Sequence, residues 1–340
     1  MRDWHSVKWS LAAVLAAIIF LVGKYTSVIS ILGEPDVLLQ QVINGLSLGA
    51  MYALLAIGFT LVYGIMELIN FAHFNVFMIG SFLGMWALEF LGLSGQSQVL
   101  TGLALCGALA FAFAAAMLGS GVLGMAIERI ALRPLRGIPG TTGMITTIGV
   151  SYILFNIILL TAGADAKNYP NPMPNLRWQV AGAVVDLREV LIWGISLTLM
   201  VGLQLFVSRT RLGKAMRATA QDSEAARMMG IDVDRVIGTA FFLGSALAGA
   251  AALIFGLYYN YTSFLIGYTA GLRAFTAAVL GGIGSITGAM VGGVIIGLIE
   301  TLGGQLIAVR WTDVIIFSIL VLVLVYAPTG LFGRAAPTKS

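Results

Sequence analysis

Long apolar runs separated by short polar intervals organise this chain along nearly its whole length. A helix needs about 20 mostly apolar residues to cross a bilayer. Seven runs before Tyr261 approach or exceed that length: Trp9–Leu32, Leu38–Met66, Phe71–Leu91, Val99–Ile127, Gly140–Ala162, Val190–Val207 and Val236–Tyr259. Past Tyr261 the runs shorten. Thr269–Ile283 ends in Gly281-Gly282-Ile283-Gly284, and Ser285–Thr301 and Asp313–Ala327 follow. The pattern predicts an all-α integral membrane protein, a polytopic bundle of about ten transmembrane helices with one short, glycine-interrupted span.

Composition narrows the class further. Of 340 residues, 59% are hydrophobic and 10% charged, against roughly 25% charged in soluble domains. Mean hydropathy is +0.96, and 42 glycines suit helices that pack closely through small residues. A disordered chain, a secreted disulfide scaffold and a nucleic-acid binder are excluded; the pI near 9.3 reflects a net charge of only +4. The lone cysteine, Cys106, has no partner for an intrachain disulfide.

Basic residues set the orientation, because cytoplasmic loops collect Lys and Arg. With the N-terminus inside, the cytoplasmic set is Arg2, Lys8, Arg129, Arg133, Arg136, Arg209, Arg211, Lys214, Arg217, Arg227, Arg235, Arg334 and Lys339, which is 13 of the 19 Lys and Arg. Only Lys167, Arg177, Arg188 and Arg310 fall in outer loops. A cytoplasmic C-terminus then requires Thr269–Ile283 to cross; a re-entrant hairpin there would put Arg334 and Lys339 outside. The first run is read as a retained helix and not a signal peptide, since it continues past Lys24 with no A-x-A-like site before Glu34-Pro35. The organisation expected is one transmembrane domain over 1–340, with a basic cytoplasmic loop at 208–235 and an N-terminal helix within 1–35.

Chemistry of the covalent kind has no foothold in the motifs. No phosphate loop of the form G-x-x-x-x-G-K-[ST], no H-E-x-x-H, no G-x-S-x-G and no Cys/His cluster occurs. His5 and His73 do not suggest a metal site. The expectation is a protein that is not an enzyme and has no cofactor.

The most informative stretch is Asp222-Ser223-Glu224-Ala225-Ala226-Arg227-Met228-Met229-Gly230. Asp222 or Ser223 can cap a short helix, Glu224 suits its positive end, and Gly230 can end it in the left-handed conformation. Ala225, Met228 and Met229 share one face at i, i+3 and i+4. So short a helix is marginal alone in water and must rest on something. Periodicity leaves two readings equal: a connector lying on its own protein, or a coupling helix docked on a cytoplasmic partner.

Glu224-Ala225-Ala226-x-x-x-Gly230 resembles the E-A-A-x-x-x-G loop of bacterial ABC-importer permeases. Gln41–Gly64 (QVINGLSLGAMYALLAIGFTLVYG), Ile69–Gly80 (INFAHFNVFMIG) and Ala274–Gly293 (AFTAAVLGGIGSITGAMVGG) are similar to branched-chain amino-acid permeases of the LivH type. The likeness covers roughly Leu38 to Gly333 and does not account for the first helix. Phe74-Asn75 departs from it, since the family usually has Gly-Glu there. The resemblance implies a ten-helix permease half in a bacterial inner membrane, with both termini cytoplasmic. It also implies a second permease of the LivM type, two cytoplasmic ATPases on the coupling residues Glu224, Ala225, Ala226, Met228, Met229 and Gly230, and a periplasmic binding protein delivering substrate. ATP hydrolysis would belong to the ATPases. The activity implied is import of branched-chain or similar small amino acids by alternating access. Urea or short-amide permeation and ion-coupled secondary transport are the alternatives.

Polar residues inside spans are costly against lipid and so are candidates for a translocation path. They are Asn70, His73 and Asn75 beside Phe74, with Asn44 and Asn156 elsewhere. For His73 a structural hydrogen bond is the favoured reading. Arg273, near the outer end of the short span, suits either a substrate carboxylate or lipid headgroups. Glu67 and Glu300 lie near span ends, where hydration accounts for them. Gly281, Gly282, Gly284 and Gly288 are assigned to close helix packing.

Overall fold

A computed structural model describes residues 35–94, 99–136, 138 and 141–333. The expected first span, Trp9–Leu32, lies outside them. The helices are α1 (Pro35–Met66), α2 (Ala72–Phe90), α3 (Gly102–Ile127), α4 (Thr142–Ala162), α5 (Leu187–Arg209), α6 (Arg211–Gln221), α7 (Ser223–Met228), α8 (Val233–Tyr259), α9 (Ile266–Gly281), α10 (Ile286–Leu306) and α11 (Thr312–Tyr326). Beyond α3 the chain continues as a π turn, Glu128–Leu132, and a 3-10 turn, Arg133–Leu135. Seven of these segments are long and apolar enough to cross a membrane; α2 and the 16-residue α9 are not among them.

Local chemistry fixes the ends. Pro35 opens α1 with Asp36 in its first turn, the preferred places for a residue without an N–H and for an acid. A capping box joins Asp186 and Glu189 at the start of α5. Asp232 and Ser285 cap α8 and α10 by accepting from the N–H groups of Arg235 and Gly288. Asn260 ends α8 in the left-handed conformation at φ 57°.

Helices α1 and α8 form the centre. In their most apolar windows 83% and 89% of residues are buried, against 11–33% in α3, α4, α5, α10 and α11. Lipid tails are as apolar as leucine, so helices associate in a membrane by close packing and not by a hydrophobic force between them. The sequence supplies the required small residues. A side chain on Gly293 would meet the Ala53 backbone, and one on Gly297 would meet Gly49, so α1 and α10 touch backbone to backbone. Gly58 and Gly244 play the same part between α1 and α8, as do Gly249 and Ala116 between α8 and α3.

One end of the bundle carries two small sheets. β1 (Lys167–Asn168) pairs antiparallel with β4 (Tyr261–Thr262), and β2 (Arg177–Val180) pairs with β3 (Ala183–Asp186). The β2–β3 turn uses Ala181 and Gly182, both at positive φ, as a tight two-residue hairpin requires, and Gly182 sits against the Asp36 carboxylate. Tyr169 plugs the same end. Its ring lies between Gly84 of α2 and Gly256 of α8, its N–H donates to the Asn260 carbonyl, and Asn171 donates to Asn260 Oδ1 at 2.8 Å.

At the opposite end Gly64 approaches Gly284, and the N–H groups of Leu331 and Phe332 donate to the carbonyls of Leu280 and Gly281. Helix α9 therefore begins beside β4 at one end and finishes at the other. A re-entrant hairpin, with both ends together, does not describe it. Sixteen residues give a helix of about 24 Å, short of the roughly 30 Å hydrocarbon core.

Candidate functional site

The loop singled out by its grammar is two helices meeting at Asp222. α6 ends there, and the Asp222 carboxylate caps α7 by accepting from the N–H groups of Glu224 and Ala225, both at 2.9 Å. Gly230 follows at φ +82°. Ile231 N–H donates to the Ala226 carbonyl and Gly230 N–H to that of Arg227, closing the helix end.

The two readings of α7 divide among its residues. Ala226 is buried on Val62, Leu132, Val233, Ile237 and Phe241 and anchors α7 to its own chain. Ala225, Met228 and Met229 face away, and the two methionines are 88% and 82% exposed. Glu224 and Gly230 are exposed as well. A short helix fixed on one side thus presents an unpartnered apolar face on the other.

Under α7 lies an ion network that hydropathy does not reveal. Asp234 of α8 accepts from Arg133, from Arg136 at 2.5 Å and from Arg227 of α7 at 3.5 Å. Arg136 also pairs with Glu128, whose side chain is almost fully buried. In the sequence, Arg133 and Arg136 register only as loop charge.

The polar cluster at the start of α2 is internal. Asn70 Oδ1 accepts from Ala72 N–H, and Phe71 N–H donates to the Thr147 hydroxyl of α4. Asn75 donates to the Ser151 carbonyl at 2.8 Å and to its hydroxyl at 2.6 Å. His73 Nε2 lies 3.3 Å from the Leu55 carbonyl, while its buried Nδ1 has no partner. Phe74 stacks on Phe59 with centroids 6.1 Å apart, meets Phe71 edge-on, and fills the notch left by Gly271 of α9, while Gly267 abuts the Phe74 carbonyl. Phe74→Ala should therefore destabilise the chain by about 3–5 kcal/mol, the usual cost of emptying an aromatic site. Thermal unfolding in detergent measures it; an unchanged transition would show that the notch refills.

Arg273 is committed to protein partners and is not free for a headgroup. It donates to Glu300 at 2.5 Å, to Asp313 at 2.8 Å and to the Tyr52 hydroxyl at 3.1 Å. Hydration at a span end does not describe Glu300 either, since its side chain is 11% exposed and ion-paired. A charge inside a membrane protein needs such a partner because solvation by lipid is poor. Asn156 points outward from α4 and donates only to its own Tyr152 carbonyl. Asn44 accepts from Gln40 within α1.

The four glycines divide in role. Gly281 and Gly288 touch backbone to backbone across the α9–α10 hairpin, and Gly282 abuts Gly333 and Thr329. A side chain on Gly284 would meet open space, but the residue supplies φ +94°, which favours glycine, and its backbone is where Gly64 approaches.

Residues 41–324 match the family described as branched-chain amino acid transport system / permease component. The chain is 42% identical over 306 residues to the high-affinity branched-chain amino acid transport system permease protein BraD of Pseudomonas aeruginosa, covering 88% of this chain and 97% of that one. It is 40% identical to the corresponding permease protein LivH of Escherichia coli over the same shares. A probable LivH of Methanocaldococcus jannaschii is 27% identical over 82% of this chain and 88% of that one. No solved structure matches.

Proposed function

The chain belongs to the branched-chain amino acid transport system permease family, and on that premise we propose that it is the membrane-spanning permease subunit of an ABC importer for branched-chain or similar small amino acids. It is a multi-pass membrane protein of one permease domain, placed in a bacterial inner membrane. Its partners are a second permease, two cytoplasmic ATPases and a periplasmic binding protein that supplies substrate. ATP is hydrolysed on the ATPases, and α7 carries their movement into the bundle.

One observation supports this most: α7 is anchored through Ala226 yet leaves Met228 and Met229 uncovered. A buried foot with an apolar exposed face is what a helix needs to receive force from a partner and pass it on. The stretch Asn70, His73, Phe74 and Asn75 is where we place the closed gate of the passage, since it joins α1, α2, α4 and α9 through buried polar groups and one aromatic wedge. Arg273 borders the outer part of the same passage. Copurification of the tagged permease with its ATPases, and vanadate-sensitive leucine uptake by the complex in liposomes, test the assignment. Uptake that needs no ATP would refute it.

We propose ten crossings with both termini inside, a topology supported by the basic residues and by the course of α9. In a Cys106→Ala background, Gln179→Cys should react with an impermeant maleimide in intact cells exposed to it from outside. Ser223→Cys should react only after permeabilisation. The reverse pattern would invert the topology.

A further inference from the structure

The network beneath α7 joins three segments that the sequence keeps apart. Arg227 belongs to α7, Asp234 to the first turn of α8, Glu128 and Arg133 to the π and 3-10 turns that follow α3, and Arg136 to the residue just after them. Asp234 is the only group among the described residues that touches all three, accepting from Arg133, Arg136 and Arg227 at once. Gly238 lies one turn further along α8 on the same face, and a side chain there would come within 3.5 Å of Glu128 Oε2. The buried carboxylate of the π turn thus lies beside the bare α8 backbone at Gly238, with Arg136 bridging it to Asp234.

Each part suits a joint that moves as one body. A guanidinium offers five donors in a rigid fork, so Arg136 can hold two carboxylates on different helices in one geometry. Single π turns occur often at functional sites, where they break the regular hydrogen-bond ladder; this one ends α3 at the network. From there α8 runs inward along crossings of glycine, alanine and serine: Gly244 on Gly58, Gly249 on Ala116, and Ser245 on Gly124.

We propose that Asp234 is the positioning residue of the coupling step: the carboxylate through which a displacement of α7 reaches α3 and α8 together. This rests on the importer reading above. An isolated exposed pair would add little to stability, so the role lies in transmission and shows in the coupling ratio.

The test uses the whole complex in liposomes and reads leucine taken up per ATP hydrolysed. Asp234→Asn should bind the ATPases as the wild type does, with the ratio lowered at least roughly fivefold, the low end of couplings between distant sites. Asp234→Glu should restore most of it. Arg227→Gln is the second variant; its side chain is 61% exposed, so it folds, and it should also lower the ratio. Unchanged ratios in both variants overturn the proposal, as does a loss in Asp234→Asn that merely tracks lost ATPase binding. If Asp234→Asn does not accumulate, an unchanged ratio in Arg227→Gln alone overturns it. A wild-type complex without ATP-driven leucine uptake would instead refute the importer reading.

Discussion

Met228→Asp should abolish ATP-driven uptake while leaving the permease inserted, abundant and as heat-stable as before. The side chain is 88% exposed and contributes nothing to the chain's own packing; only Ala226 does that for α7. Surface substitutions of this kind usually change stability by no more than about 0.5 kcal/mol. In the proposed docking on an ATPase the same position would be covered, and a carboxylate there would be buried without a counter-ion, which is far more costly. Uptake, detergent thermal stability and ATPase copurification should be measured on one preparation. Normal uptake with normal copurification would remove Met228 from the docking face. A fall in thermal stability would mean that the residue packs on its own chain.

Gly293→Leu should prevent the bundle from assembling. The first side-chain carbon would overlap the backbone of Ala53, which cannot rotate aside, so α10 must separate from α1 along its length. Overpacking in a core costs about 1–3 kcal/mol where side chains can adjust and more where they cannot. Loss of the α1–α10 crossing would also expose Gly49 and Gly297, which now touch. The control is Gly149→Leu on α4, where nothing lies within 4 Å. Leucine is the better helix former by most of the roughly 1 kcal/mol that separates glycine from alanine, so that variant should be no less stable than the parent. A stable Gly293→Leu protein would refute backbone contact between α1 and α10.

Hydropathy located the long helices within a few residues because lipid imposes one rule on every span. The run Val236–Tyr259 is α8 less its first three residues, and Phe71–Leu91 is α2 almost to the residue. The grammar of the basic loop predicts one short helix, and the loop holds two. A signal for α6 was present: Leu212, Met216 and Thr219 recur at helical spacing among basic residues, and Met216 and Thr219 are buried. Arg273, Glu300 and Asp313 illustrate what no pattern reveals. Their separations of 27 and 40 positions are set by how α9, α10 and α11 fold back on one another. In the sequence Arg273 and Glu300 are each a single charge near a span end. Likewise Met228 and Ala226 have similar apolar character in a list of residues, and only the packing of α7 on α8 separates the foot from the free face.

The Tyr169 plug has a consequence for biosynthesis. Its socket needs Gly256, and its tether Asn260 lies 89 positions beyond Asn171 in the chain. At 5–20 residues per second, the loop waits for roughly 4–18 s before its socket is made, on the outer side of the membrane in the proposed topology. During that interval the stretch Tyr169–Pro174 is substrate for any protease there, and a ribosome stalled before α8 leaves it open indefinitely. Nicking within this loop therefore reports on unfinished chains, and its protection times the moment when α8 takes its place.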